Sequence, residues 1–292
     1  MKNTVSIMNV CGNIAEAINK GVGSIGGLSL KKGSDVVIKP NICNPKNPYG
    51  MVLTDFRLIE AVISLVKPIS DKVTIVESDN ISGSAEKRLI ESGLMRRIEE
   101  MNVQFLNLST DDFETHRIAG EEIRLPRTVL TADYFINLPK LKTEGHTLVT
   151  LSMKNLFGVL QTAKKSRLHG KLNEILPYLA KTIRNDLIVV DGMTAMEGNG
   201  PLIGTPRDLG LLVLGRNLVA VDSICSRMMG LDPSKISHIA KAHEIGLGNI
   251  APDGVDLLGD FSECPSFEFD MPYSLKSSVK SLRSIGKFYL SV

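Results

Sequence analysis

Tryptophan is absent from the chain, and aromatic residues of all kinds make up 5% of it. That leaves no stacking platform for single-stranded nucleic acid. A surplus of one charge is missing too: 34 basic residues against 32 acidic ones leave +2. Nucleic-acid binders draw much of their affinity from a strongly basic stripe, so no nucleic-acid partner is expected and any basic surface must be local. The four cysteines, Cys11, Cys43, Cys225 and Cys264, form no CxxC pair. Neither a structural zinc site nor a cysteine-ligated cluster can be read from such spacing. No stretch approaches the roughly 20 apolar residues of a membrane span. The opening residues, MKNTVSIMNVCGN, read as a strand and a helix cap rather than a secretory leader. These absences together predict a soluble, cytoplasmic protein with reduced thiols.

What is present is a core-forming chain of 292 residues, 43% of them hydrophobic. A chain of that size buries roughly 75% of its unfolded surface without staples. Short apolar runs alternate with helical patterns: strands over 4–10, 35–39, 72–77, 103–108, 134–138, 187–191 and 209–214, and helices over 13–22, 56–66, 84–101, 172–183 and 218–229. The alternation predicts an α/β fold: a mainly parallel sheet, reached by right-handed crossovers, with helices on both faces. HRIAGEEIRL predicts an inserted β-hairpin turning near Ala119-Gly120. The glycines at 21, 23, 26 and 27 follow a helix rather than a strand, so they read as a helix end and turn, not as a phosphate loop. Residues 1–262 read as one α/β domain, with a division into two lobes near 110–135 as the alternative, and 263–292 as a basic tail. Between 273 and 292 there is no acidic residue. Lys276, Lys280, Arg283 and Lys287 recur on one helical face and Leu275, Val279, Leu282 and Tyr289 on another. Such a helix either docks on its own domain or lies on an anionic membrane, and docking is the expectation.

The chemistry concentrates in PKLKTEGHTLVTLSMKNLFG, residues 139–158, directly after a buried-type strand. An α/β sheet binds ligands beyond the carboxyl ends of its strands. Those ends offer Lys39 and Asn41, Glu77 and Asp79, Lys140 and Lys142, and Asp191. Loops add His146, His169, Glu197 and Asn199. Crowded lysines lower one another's pKa; the one that loses its proton serves as a base or imine-forming nucleophile, while those that stay charged hold an anion. Lys154 and Asn155 sit among Leu151, Met153, Leu156 and Phe157. A lysine inside an apolar segment must send its head to a partner or to water. The bland readings are solvated loop charges for Lys140 and Lys142, and turn or capping roles for Asp191 and Glu197. Asp222, inside an apolar helix, is either a paired buried acid or a site residue. The histidines and carboxylates lack the tight spacing of a recognised metal motif, and no metal site is expected.

The strings VVIKPNIC, LPKLKTEGHTLVTLSMKNLFGVL, VVDGMTAMEGNGPLIGTPRDLGLLVLGRNLVAVDSICSRMMGLDP and AHEIGLG, in that order across 35–250, resemble the DUF362 family of bacteria and archaea. The family's function is unknown, so the resemblance names positions rather than a reaction. The motif-matching residues are Lys39, Asn41, Lys140, Lys142, Lys154, Asn155, Asp191, Glu197, Asn199 and Asp222. Many members carry an added ferredoxin-like segment with clustered cysteines, which this sequence lacks. Members usually read KTH where this chain reads KTEGH, which displaces His146 by two positions.

The expected function is an enzyme that uses lysine-assisted proton transfer on a small anionic metabolite, of isomerase, lyase or cyclisation type, with no obligatory redox cofactor. Lys154 or Lys142 is the base or electrophilic stabiliser, with Glu197 and His146 as further catalytic candidates. Lys39, Asn41, Lys140, Asn155, Asn199 and His169 are the candidate substrate contacts. The alternatives are a redox or metal-handling accessory protein, by analogy with the cluster-bearing relatives, and a non-catalytic binding module.

Overall fold

The computed structural model describes residues 3–290; the side chains of Arg283 and Leu290 lie outside the description, and with them the expected place of Arg283 on the basic face. Strand β1 (Asn3–Asn9) leads to α1 (Ile14–Ser24), whose cap Asn13 accepts a hydrogen bond from the Glu16 amide. Strand β2 (Asp35–Pro40) ends at its proline, and Asp55 caps α2 (Phe56–Val66). Strand β3 (Lys72–Glu77) is followed by α3 (Ala85–Ser92), α4 (Leu94–Glu100) and β4 (Gln104–Asn107). The hairpin is β5 (Phe113–Ile118) and β6 (Glu121–Pro126), then α5 (Arg127–Leu130) and β7 (Tyr134–Leu138). Next come β8 (Lys140–Glu144), β9 (Leu148–Thr150), α6 (Ser152–Leu156) and α7 (Leu172–Thr182). The chain closes with β10 (Leu187–Glu197), β11 (Thr205–Gly215), α8 (Leu218–Met228), α9 (Ser237–Glu244), β12 (Val255–Gly259) and α10 (Leu275–Leu290).

The main sheet runs β12-β1-β11-β10-β7-β2-β3-β4, with β8 attached to β10 and β9 to β8. Most pairings are parallel, and β11 is antiparallel to both β1 and β10. Alternation along β2 explains how both faces are covered. Val36 and Ile38 pack with Ile18, Leu58, Val62, Leu89 and Ile98. Val37, on the other face, joins Phe135, Leu156, Leu176, Ile224 and Ile239. Burying each such side chain stabilises the fold by about 1.5–3 kcal/mol. The β5–β6 hairpin forms its own two-stranded sheet, and its turn residues Ala119 and Gly120 both have positive φ (51° and 77°), as expected of a tight two-residue turn.

Several expectations need correcting. The helix expected over 84–101 breaks at Gly93, whose φ of 82° ends one helix and starts the next. Gly21 and Gly23 lie inside α1. A Cβ at Gly21 would come within 2.7 Å of Leu214 Cδ1, so glycine lets α1 sit tightly on the sheet. Residues 140–150 fold back on themselves as a β-hairpin, and a short helical turn follows over 152–156. The strand expected over 187–191 runs on to 197, so Glu197, expected on a loop, is the last residue of β10.

Helix α10 docks on the domain, but apart from Phe288 not through its apolar residues. Ser277, Ser281, Ser284 and Phe288 are the buried ones, whereas Leu275, Val279, Leu282 and Tyr289 are exposed. Gly198 leaves room for this approach: a Cβ there would meet Ser277 Cβ at 3.0 Å.

Candidate functional site

Four elements end around one cavity of about 240 Å³. Strand β2 delivers Lys39 and, just past its proline, Asn41; β3 delivers Glu77; β8 delivers Lys142 and Glu144; α6 delivers Lys154 and Asn155. Two-residue alternation along β8 puts Lys142 and Glu144 on one face. The short helix α6 is anchored from behind by Asp222, which accepts hydrogen bonds from the Ser152 and Met153 amides (2.8 and 3.0 Å) and from the Ser152 hydroxyl (2.5 Å). Burial raises the Asp222 pKa to about 6, against the pull of those donors.

A chain of amides fixes the cavity floor. Lys142 Nζ donates to Asn41 Oδ1 (2.7 Å), Asn41 Nδ2 to Asn155 Oδ1 (3.2 Å), and Asn155 Nδ2 to Asn137 Oδ1 (2.8 Å). Asn137 Nδ2 ends the chain on the Ser152 carbonyl (3.0 Å). Lys142 also donates to the Val52 carbonyl (2.8 Å). On the opposite wall, Lys39 Nζ lies 2.7 Å from both Glu77 Oε2 and the Pro40 carbonyl oxygen. Lys165 reaches the same wall, donating to the carbonyls of Asp79 (2.9 Å) and Gly158 (3.3 Å) and contacting the Ser78 hydroxyl. Arg88, fully buried, donates to the carbonyls of Ile42 and Ser78.

Lys154 differs from the other lysines. Its ammonium lies 4.6 Å from the centre of the Phe157 ring, near Glu144 in charge terms, and no carboxylate or carbonyl accepts a hydrogen bond from it among the described contacts. Burial lowers its pKa; Glu144 opposes the shift and Lys142 adds to it. Burial likewise lowers that of Lys142, with Lys140 adding to the shift. Lys165 falls to about 7, chiefly through burial, with Lys39 and Arg88 assisting against Glu77. Burial alone would raise the Glu77 pKa, but Lys39, Arg88 and Lys165 outweigh it and keep the carboxylate ionised. Glu144 is also held low, by Lys154 and by the Thr147 hydroxyl and amide. At the mouth, the His169 and His146 rings meet at a tilt of 50° with their centres 4.1 Å apart, and His146 Nδ1 lies 3.3 Å from Glu144 Oε2. Burial, Lys154 and His146 all lower the pKa of His169, leaving a neutral imidazole at neutral pH.

Of the residues singled out from sequence, Lys39, Asn41, Lys142, Lys154, Asn155 and His169 line this cavity. His146 stands behind His169. Three lie elsewhere. Lys140 pairs with Asp191 at 2.8 Å, and that carboxylate also accepts from the Asp55 amide (2.7 Å). Glu197 is bound by Arg207 (2.7 Å) and Lys280 (3.3 Å). Asn199 accepts from the Tyr273 amide (2.8 Å) and donates to the Ser281 hydroxyl (3.3 Å), tying down α10. Sequence reasoning missed Lys165, which reads as one cation of a polar connection. It also missed Arg88, although its place one position before Leu89 and three after Ala85 puts it on the inward stripe of α3. Among the described residues no group of three or more His, Cys, Asp or Glu side chains is disposed to hold a metal ion.

Two fully buried lysines, two more at the cavity edge and one buried arginine surround two carboxylates. Cations outnumber carboxylates around the cavity, and among the described residues no hydrogen bond is made by the Lys154 head.

Comparison with known proteins gives the chain a family. The model of the family DUF362, a domain of unknown function, matches residues 36–227. Thylakoid-associated protein of Synechocystis sp. is 29% identical over 276 aligned positions, which cover 88% of this chain and 86% of that protein. Among solved structures, the lactate racemase apoprotein of Thermoanaerobacterium thermosaccharolyticum superposes with a TM-score of 0.38 at 12% identity. That match takes in 85% of this chain but spans only 58% of the other, and so loose a likeness carries no functional argument.

Proposed function

The chain belongs to the DUF362 family, and from its lysine-walled cavity we propose that it is an enzyme moving a proton on a small anionic metabolite that bears a carboxylate or a phosphate. The observation that carries this reading is Lys154: an ammonium at the cavity edge with an aromatic ring beside it and no hydrogen-bond acceptor of its own. Burial favours its neutral amine, and a neutral amine takes a proton from carbon. Lys142 and Lys39, each tied to protein oxygens, hold the anion and the negative charge that develops when the proton leaves. Asn41 and Asn155 orient the substrate, with the His169 imidazole as a further contact at the mouth, and the ammonium formed on Lys154 returns its proton to carbon, which regenerates the amine. The reaction class is isomerase, lyase or cyclisation, with no obligatory redox cofactor. The free thiols Cys11, Cys43, Cys225 and Cys264 support a cytoplasmic setting.

The test is proton NMR in deuterium oxide with a panel of small hydroxy, keto and amino acids and their phosphate esters. The expected result is enzyme-dependent loss of a carbon-bound proton signal for at least one of them, abolished in Lys154→Ala with unchanged circular dichroism. Exchange that survives in Lys154→Ala would refute the assignment of the base. No exchange with any panel member, together with no thermal stabilisation by any of them, would refute the anion site itself.

A further inference from the structure

Helix α10 is mounted back to front for a helix whose only task is to pack on its own domain. An amphipathic helix normally turns its apolar stripe to the core and its polar stripe to water. Here the row turned inward is Ser277, Ser281 and Ser284, each no more than 1% exposed, with Phe288 at the end. The row turned outward is Leu275 (85% exposed), Val279 (62%), Leu282 (65%) and Tyr289 (69%), with Tyr273 (78%) just before the helix. Residues at 275, 279, 282 and 289 fall on one side of a 3.6-residue helix, so they make one continuous strip. Packing onto the domain does not account for this strip, because serines do that work through Gly198 and Asn199.

The strip is flanked by positive charge. Lys276 and Lys280 lie one turn apart along the helix and Lys287 two turns further on, and the sequence from 271 to 292 has four basic residues and no acidic one. Asp270 and Glu197 fix Lys276 and Lys280 at the root of the flank, and Lys287 lies 3.8 Å from the centre of the Tyr49 ring. Ile81, 92% exposed, rises from the rim of the cavity. The helix has 16 residues, and no described helix is long and apolar enough to cross a membrane. A strip of this length with tyrosines at both ends and lysines along one side suits the plane of a lipid surface, where apolar side chains enter the acyl boundary and lysines meet anionic headgroups.

We infer that α10 is a surface anchor that lays Leu275, Val279, Leu282 and Tyr289 into an anionic lipid monolayer, with Lys276, Lys280 and Lys287 at headgroup level. A second copy of the chain would meet like charge along the same flank, which disfavours that occupant. The inference is independent of the reaction assigned to the cavity.

Flotation of the full chain with two kinds of vesicle tests it: phosphatidylcholine alone, and equal parts phosphatidylcholine and phosphatidylglycerol. The wild type is expected to float with the anionic vesicles, at least about tenfold more than with the neutral ones, and to be released by high salt. The triple variant Leu275→Ser, Val279→Ser, Leu282→Ser changes only exposed side chains. It is expected to keep its circular dichroism and melting temperature while losing flotation by at least about tenfold. Failure of the wild type to float with anionic vesicles overturns the inference, as does equal flotation of the variant. A wild type that sediments as a dimer while the variant is monomeric, neither floating, assigns the strip to a second copy instead.

Discussion

Lys39 Nζ and Glu77 Oε2 lie 2.7 Å apart with both side chains sealed from solvent, so two neighbouring parallel strands end in a buried ion pair. The pair forms one wall of the cavity and holds the ends of β2 and β3 in register. Replacing Glu77 with Gln strands a lysine in low dielectric. The expected cost is about 3–5 kcal/mol in chemical denaturation, whereas Lys39→Met with Glu77→Leu together should cost much less. Equal losses in the single and double variants would show that the pair's charge is not what matters.

Lys154 is expected to matter for chemistry and hardly at all for stability, because no hydrogen bond ties its head to the fold. Lys154→Met should lower carbon-proton exchange by at least about 100-fold, the ordinary scale of a general base. Lys154→Arg should not restore it, since a guanidinium stays protonated and cannot accept the proton. A rate restored by arginine would reassign Lys154 from base to electrostatic stabiliser.

Lys165 gives anion binding a pH dependence. Its pKa near 7 means that the ammonium is present below that pH and lost above it. Affinity for sulfate, whose own charge is constant over this range, read by calorimetry, should therefore weaken by up to about tenfold between about pH 6 and about pH 8. In Lys165→Met that step should vanish. A wild-type profile that is flat over the same interval would place the anion away from the Lys165 wall.

His238 is a buried liability. It is 1% exposed, neither ring nitrogen finds a hydrogen-bond partner, and burial lowers its pKa to about 4. The imidazole is neutral in the folded protein, while the unfolded chain takes up a proton near pH 6.5. Stability is therefore present above that pH and is lost as pH falls toward 4, by up to about 3 kcal/mol. His238→Leu should remove that share of the acid sensitivity and add about 1–2 kcal/mol at neutral pH by deleting two orphaned polar atoms. A His238→Leu variant less stable than wild type at neutral pH would mean that the ring has an undetected partner.

Some of this was legible in the chain. The strands 72–77 and 134–138 and the helix 56–66 were read with their observed limits, because apolar period and cap residues agree there. The place of Lys154 at the cavity was readable for a similar reason: a cation among apolar neighbours needs a partner or an opening. Lys140 and Lys142 show the limit of such reading. They are two residues apart on one strand, yet one closes a structural pair with Asp191 and the other enters the cavity network. That difference depends on β10 running alongside β8, a long-range pairing that no local pattern encodes. Lys165 was invisible because its burial comes from a turn folded onto Ser78, far away in sequence. The helix 275–290 had a readable period, but which face would be turned inward depended on the glycine at 198.

The position of β1 also bears on how the protein is made. Strand β1 is flanked in the finished sheet by β11 and β12, and so by nothing that is synthesised near it. At roughly 5–20 residues per second, the interval of about 200 residues before β11 emerges takes about 10–40 s. Throughout that time Val5, Ile7 and Met8, all buried in the end, have no sheet to join. Over that interval the nascent chain thus carries an unsatisfied apolar strand, a natural target for a chaperone that holds unfolded segments until β11 arrives.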